Sequence, residues 1–430
     1  MKIKFINHAC FIVENSGQRV MCDPWFDGSV FDNGWSLMYD QIEPSTNEYD
    51  YVWISHEHPD HFRPNLFQDS KISNDKKIIL QERPKDKKLL KWFNTKNYKV
   101  LEIPQNKDLH IGDSFRLSGD LNYDFDSWVC FKTDNGAILN LNDCISFKTN
   151  AEIEELKNKI GHVDVLLTQF SFANWTGNKG DLKTPQKAKD VVLANLKRIF
   201  DIIQPGCIIP FASFVYFSHE ENSYLNNNSI QISDFVDNFK DENIVVMRPN
   251  DEWYISDSWH KNEENIQFWT DQSKKTNERV HTKTNIFSYD KLLESFKEMK
   301  TKLHTSNDMK NFSNKVKKLK PSTIYVSDLD MCVSYDILND FKRIYAQKED
   351  CDVYMSSESL YNVMKNAWGF GTLMINGRFQ ANYKSFGNFV SQTRLYYMNN
   401  IGKTFPDSVR VEEITNSSSL VNKLVEAYHE

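Results

Sequence analysis

The stretch Tyr51-Val52-Trp53-Ile54-Ser55-His56-Glu57-His58-Pro59-Asp60-His61 decides how this chain reads. Its first four residues are a compact apolar run rich in β-branched and aromatic side chains, the composition of a buried strand. The polar segment that follows holds three of the eleven histidines within six residues. At the end of an extended strand, residues i and i+2 project to one side. His56 and His58 can therefore face one cation. Pro59 turns the chain, and Asp60 and His61 can then face a second. Neutral imidazole and carboxylate are ligands that suit Zn, Fe or Mn. A solvated histidine-rich loop is the competing reading, and the rarity of this spacing argues against it.

Outward from the motif, residues 2–6, 10–13 and 19–22 read as strands, with Asn15-Ser16-Gly17 as a hairpin signal. Segments 77–80 and 98–103 continue the series, and 128–132 and 137–141 flank the tight turn Asp134-Asn135-Gly136. A helix capped by Asn150 runs through Lys159, and 163–170 returns to a strand. Thr184-Pro185 starts a helix that must end before Pro205-Gly206, and Cys207–Phe211 is again a strand. Two such blocks predict paired sheets flanked by helices. Around 260–285 the sequence turns polar, which places a boundary between a metal-binding catalytic domain, 1–260, and a helical and α+β accessory domain, 261–430. In the latter we expect a helix at 290–303, a strand at 323–326 and a helix capped by Ser356/Ser357 running to about Ala367. A strand at 372–375 should then turn at Asn376-Gly377. This unit is expected to close over the pocket or to dimerise the chain, so homo-oligomerisation is left open.

The 430 residues carry 52 Lys+Arg against 59 Asp+Glu, a net charge of −7. That balance argues against coating a nucleic-acid backbone, which needs a basic surface. With 13% aromatic residues the chain has the apolar mass of a folded protein. No run approaches the ~20 apolar residues that span a bilayer, and the N-terminus alternates like a strand rather than a signal peptide. Seven cysteines without a CxxC pair fit a reducing cytoplasm. The expected partner is a small molecule, not nucleic acid and not a membrane.

The H-x-H-x-D-H pattern after a strand, with Asp23-Pro24-Trp25 upstream, resembles the metallo-β-lactamase superfamily. That resemblance implies an αββα sandwich with one or two metals at the strand ends. Asp23-Pro24-Trp25-Phe26-Asp27-Gly28, Gly34-Trp35, Leu139-Asn140-Leu141-Asn142-Asp143-Cys144, Pro210-Phe211-Ala212 and His219 are similar to the CMP-N-acetylneuraminate hydroxylase family. The similarity continues through Trp368-Gly369-Phe370-Gly371-Thr372-Leu373. That family carries a Rieske iron–sulfur domain ahead of this fold. The present chain starts directly at the fold and has no C-x-H with a later C-x-x-H, so an oxygenase here would draw electrons from a separate donor.

The resemblance implies His56, His58, Asp60 and His61 as ligands, Asp143 as the bridge between two metals, and His219 as the last ligand of the second. Where the family has a third histidine for the first metal, this chain reads Asn122. Asp124 or Asp126 can supply an oxygen instead, and Asp126, closest to the strand, is the expected ligand. His8 matches a position near the pocket in the lactonase branch, and a loop histidine without a role is an equal reading. Trp25, Trp35, Tyr123, Trp175, Tyr216 and Trp253 are candidates for pocket or core. The expected cofactors are two divalent metal ions, Zn, Fe or Mn, and a carboxylate-rich site leans toward Fe or Mn. The first expected function is a dinuclear metallohydrolase. A metal-bound hydroxide would attack a small polar substrate, with Asp60 or Asp143 as catalytic proton acceptors. The alternative is a diiron monooxygenase acting on a sugar nucleotide or related metabolite. Hydrolysis ranks first because it needs only water.

Overall fold

In strand Tyr51–Ile54, Tyr51 and Trp53 join one apolar core while Val52 and Ile54 join another, so both faces are covered. That is why the strand reads as a continuous apolar run rather than an alternating one. The computed structural model describes residues 1–415 other than 40–41, 85, 123–125, 173, 259–261 and 317–318. Tyr123, Asp124 and the expected boundary at 260/261 lie outside the described residues.

Tyr51–Ile54 is central to a seven-stranded sheet whose order is Glu252–Tyr254, Lys2–Asn7, Cys10–Asn15, Gln18–Cys22, Tyr51–Ile54, Lys77–Gln81 and Lys99–Ile103. A six-stranded sheet runs Cys207–Phe211, Val165–Gln169, Gly136–Asn142, Asp126–Thr133, Arg116–Asn122 and Leu109–His110. The two sheets meet face to face. Phe11 of the first stands edge-on to Phe131 and Phe211 of the second, with centroids 6.5 and 5.5 Å apart. The outer side of the first sheet is covered by helix Lys88–Thr95, whose Leu89 and Phe93 pack with Ile12, Val52, Ile78 and Leu80. Helices Asn150–Ile160 and Lys183–Ile203 pack Ile153, Leu156, Leu196 and Ile199 into the core that holds the second sheet. The architecture is an α/β sandwich of αββα type, as the sequence implied.

A second core follows, around a five-stranded sheet ordered Phe341–Ile344, Met331–Tyr335, Ser322–Val326, Val353–Met355 and Gln380–Ala381. Helices Tyr289–Ser306, Ser357–Lys365 and Phe386–Asn400 pack on it. The polar stretch after 260 contains a helix, Glu263–Lys275, whose Trp269 stacks on Phe214 of the first core at 3.8 Å. The strand expected at 372–375 is instead the end of helix Gly369–Asn376. Phe370 and Leu373 are buried three residues apart, a helical spacing. Gly377 (φ 64°) is the left-handed residue that ends the helix, not the turn of a hairpin. Among the described residues no helix is long and apolar enough to cross a membrane.

Several strands end in a sharp turn at one place. His8 follows Lys2–Asn7, Asp23 follows Gln18–Cys22, Asn142 ends Gly136–Asn142, and Ala212 follows Cys207–Phe211. All four are left-handed, with φ of 27°, 38°, 54° and 50°. Non-glycine residues rarely adopt this conformation unless the surroundings over-determine it, and such positions cluster at functional sites.

Candidate metal centre

The motif loop leaves Tyr51–Ile54 under firm anchoring. Arg83 donates to the Ser55 carbonyl at 3.0 Å and to Glu57 at 2.9 Å, and Ser127 Oγ donates to the same carbonyl at 2.6 Å. Held in this way, His56, His58 and His61 converge. The rings of His56 and His58 have centroids 4.5 Å apart, and those of His56 and His61 4.3 Å. His56 Nε2 lies 2.8 Å from His58 Nδ1. Two imidazole lone pairs at that separation need a proton or a cation between them.

The carboxylates complete two adjoining groups. Asp126 Oδ1 lies 3.6 Å and Asp143 Oδ2 3.8 Å from His56 Nε2. Asp143 Oδ2 is also 3.3 Å from His61 Nε2, and Asp60 Oδ2 is 3.2 Å from it. His8 Nε2 stands 3.3 Å from the same Asp60 oxygen. Ligand atoms of His56, His58 and Asp126 therefore gather in one group and those of His8, Asp60 and His61 in another, each within 4.8 Å. Asp143 reaches both His56 and His61. His61 Nε2, Asp60 Oδ1 and Asp126 Oδ1 are buried with no hydrogen-bond partner, a costly state for polar atoms unless something absent from the protein satisfies them. Four imidazoles and three carboxylates arranged this way fit two divalent cations.

Electrostatics agree. Burial lowers the His61 imidazole, but Asp60 and Asp143 outweigh it and hold it well above its ordinary value. Burial, with His61 and His58, holds His56 well below. Burial and then Asp143 push the Asp126 carboxyl up to about 7. Crowded carboxylates draw positive charge to this spot.

Behind the ligands lies an orienting layer. Asp23 Oδ2 accepts from His61 Nδ1 at 3.0 Å, Ser55 Oγ at 2.7 Å and Asn142 Nδ2 at 2.8 Å, while Oδ1 accepts from the Ser55 amide at 2.8 Å. With its Nδ1 proton held by Asp23, His61 directs Nε2 to the centre, where a cation would replace the Nε2 proton that Asp60 and Asp143 favour. Ser55 Oγ does the same for His56 through Nδ1 at 2.9 Å. An Asp23→Asn chain should bind metal about 10–100-fold more weakly, since the amide no longer fixes the tautomer. Titration of the metal-free protein with Co²⁺ reads this directly, and unchanged affinity would contradict the role.

Residues 2–187 match the family model for the β-lactamase superfamily domain. The chain is 28% identical over 254 residues to the cytidine monophosphate-N-acetylneuraminic acid hydroxylase of Danio rerio, covering 54% of this chain and 41% of that protein. The chain spans less than half the length of the curated relatives it matches. Similar solved structures include an isothiocyanate hydrolase from Delia radicum gut bacteria, at 11% identity and a TM-score of 0.42, covering 59% of this chain and 98% of that one. Another is CmlA, a diiron β-hydroxylase from Streptomyces venezuelae, at 12% identity and a TM-score of 0.34, covering 66% and 52%.

Both groups lie within the matched β-lactamase superfamily domain; His219 lies beyond it. The structure does not bring His219 to the motif residues. It gathers with Glu221 and Glu358 instead, its Nδ1 3.5 Å from Glu221 and its Nε2 3.7 Å from Glu358. The reason is an extra strand. After Cys207–Phe211 the chain forms Val215–Phe217, which pairs with Trp35–Leu37 and carries His219 toward the second core. There Arg378 already supplies the cation, donating to Glu221 at 2.8 Å and to Glu358 at 2.5 Å. Burial and then Arg378 push the His219 imidazole down to about 4, so it is neutral. In the centre, the histidine that joins Asp60 and His61 is His8.

Among the aromatic candidates, Trp25 meets the centre, its ring edge-on to His8 at 5.5 Å. Trp35 and Trp253 are core residues, and Trp175 packs against Phe379, Tyr383 and Phe386 of the second core. Asn122 is hydrogen-bonded to the buried Cys144 thiol.

Proposed function

We propose that this chain is a metal-dependent enzyme holding two divalent cations, one among His56, His58 and Asp126, the other among His8, Asp60 and His61, with Asp143 shared. The observation that carries this reading is the convergence of four imidazoles and three carboxylates in adjoining groups whose ligand atoms lie within 4.8 Å of one another, with His61 Nε2 facing both Asp60 and Asp143. Three carboxylates beside four imidazoles favour Fe or Mn over Zn. We therefore read the reaction as an O₂-dependent hydroxylation of a small polar molecule, of the sugar-nucleotide kind suggested by the name of the Danio rerio relative, drawing two electrons from a reductant.

Iron held among these residues would supply the redox chemistry with O₂. The chain's own residues supply geometry and environment. Asp23 and Ser55 hold the Nδ1 protons of His61 and His56, which fixes both rings with Nε2 inward. Asp143 places one carboxylate between the groups. His8, His56 and His61 are buried, and Trp25 walls the His8 side, which restricts water to the open side near Asp143 and Asp126. Hydrolysis is the second reading, favoured by the match of 2–187 to the β-lactamase superfamily. In that case Asp60 or Asp143 would take up the proton from the attacking water.

Elemental analysis of protein expressed without added metal separates the two. Two Fe per chain is the expected result. Two Zn, with O₂-independent cleavage of an ester or phosphodiester, would replace hydroxylation with hydrolysis. A chain that takes up no metal contradicts both.

A further inference from the structure

The loop between Trp25 and Trp35 contains three consecutive non-glycine residues in the left-handed region, Phe31, Asp32 and Asn33, with φ of 50°, 57° and 58°. Chirality disfavours this conformation, most of all for Phe31, which lacks the local hydrogen bonds that Asp and Asn can make, so side chains that hold the turn add to its own Val30–Trp35 backbone pairing. The holders are side chains from elsewhere, and each takes one of four successive carbonyls. Asn376 Nδ2 donates to the Phe31 carbonyl at 3.0 Å, and Arg378 Nη1 to that of Asp32 at 2.8 Å. Ser218 Oγ donates to the Asn33 carbonyl at 3.1 Å, and Asn222 Nδ2 to that of Gly34 at 2.9 Å. Asn222 Nδ2 also donates to the Asn376 carbonyl at 2.7 Å, which ties the holders together. Gly34 is required for the approach: a Cβ there would stand 2.4 Å from Asn376 Cβ.

The turn presents one side chain to the metal centre. The Phe31 ring, 5% exposed, stands edge-on to His58 with centroids 6.0 Å apart and edge-on to Trp35 at 4.9 Å. We infer that the turn at 31–34 is a positioning element for the metal centre, and that Asn376 and Arg378 of the second core act through it on His58. The second core is then part of the site without touching the reacting atoms. This rests on the metal-centre reading above, and deepens it by naming what fixes the ring that the β-lactamase superfamily domain leaves least buried among its motif histidines. Strain kept at a functional site by surrounding structure is the expected use of such a turn.

The test uses the full chain loaded with Co²⁺, read by its visible d–d absorption and its Co²⁺ dissociation constant. Phe31→Ala and Asn376→Ala should each shift the absorption and weaken binding about 10–100-fold, the range for partners outside the ligand shell. The double variant should be no weaker than the worse single, because both act through one contact. Phe31→Leu, which restores apolar bulk beside His58, should recover most of the affinity. If Asn376→Ala does not fold, Asn376→Asp keeps the volume, loses the donor to the Phe31 carbonyl, and should show the same shift. A folded Asn376 variant with the wild-type spectrum and affinity overturns the proposal, even if it melts at a lower temperature. A wild-type chain that binds no Co²⁺ overturns the metal centre and this proposal with it. Wild-type binding with unchanged variants overturns the positioning alone.

Discussion

An Asp143→Ala chain will fold as the parent does, lose at least one of the two metal ions proposed for this centre, and lose more than 100-fold in the proposed activity. Asp143 is the carboxylate that reaches both groups, with one oxygen 3.3 Å from His61 Nε2 and 3.8 Å from His56 Nε2. Partners outside the ligand shell cost about 10–100-fold in metal affinity when removed, so the loss of a shared ligand should exceed that range. Stability of the metal-free protein should not fall. The side chain is 20% exposed, so truncation opens no closed cavity. It also removes a negative charge that, after burial, helps to push Asp126 up. Metal per chain by elemental analysis and the melting curve of the metal-free protein are the two readings. A variant that keeps two ions at parental affinity would contradict the shared role.

An Arg378→Met chain will lose about 3–5 kcal/mol of stability, the usual cost of stranding buried partners of an ion pair. The guanidinium is fully buried and donates to Asp32 and Glu221 at 2.8 Å and to Glu358 at 2.5 Å. Methionine would fill much of the volume but leave three carboxylates facing one another beside a neutral His219. Arg378→Lys should recover only part, because an ammonium cannot reproduce the planar fork that serves three acceptors. Adding Glu221→Gln and Glu358→Gln to Arg378→Met should restore stability by relieving the repulsion. Denaturant midpoints at constant slope measure all three. A loss below about 1 kcal/mol in Arg378→Met would contradict this view of the node, since it is the range of an exposed pair.

The parts of this molecule that were legible in its sequence are the local ones. Six residues of one loop, 56 to 61, announce a metal site because the ligand types and the strand before them are contiguous. Eight strands between 2 and 141, and Cys207–Phe211, were readable because apolar runs and turn residues mark them within a few positions, whereas Trp35–Leu37, Leu109–His110 and Arg116–Asn122 carry no such run and were not. What failed depended on distant packing. His8, which resemblance offered only as an even choice between pocket and idle loop, joins Asp60 and His61 once Lys2–Asn7 and Tyr51–Ile54 take their places in one sheet. His219 looked equivalent by similarity, but the short strand Val215–Phe217 carries it to Glu221 and Glu358. Asp23 was visible as part of a motif, yet its hydrogen bonds to His61 and Ser55 of the motif loop and to Asn142 join segments far apart in sequence. The apolar run at 372–375 was short enough to fit strand or helix, and its packing partners made it a helix. Glu358 and Arg378 carry no pattern at all; burial alone makes them matter.

Anomalous scattering from crystals of iron-reconstituted protein would probe the whole account most directly. Two peaks should appear about 3.5–4 Å apart, one against His56, His58 and Asp126, the other against His8, Asp60 and His61, with Asp143 touching both. A single peak, or one at His219 with Glu221 and Glu358, would contradict it.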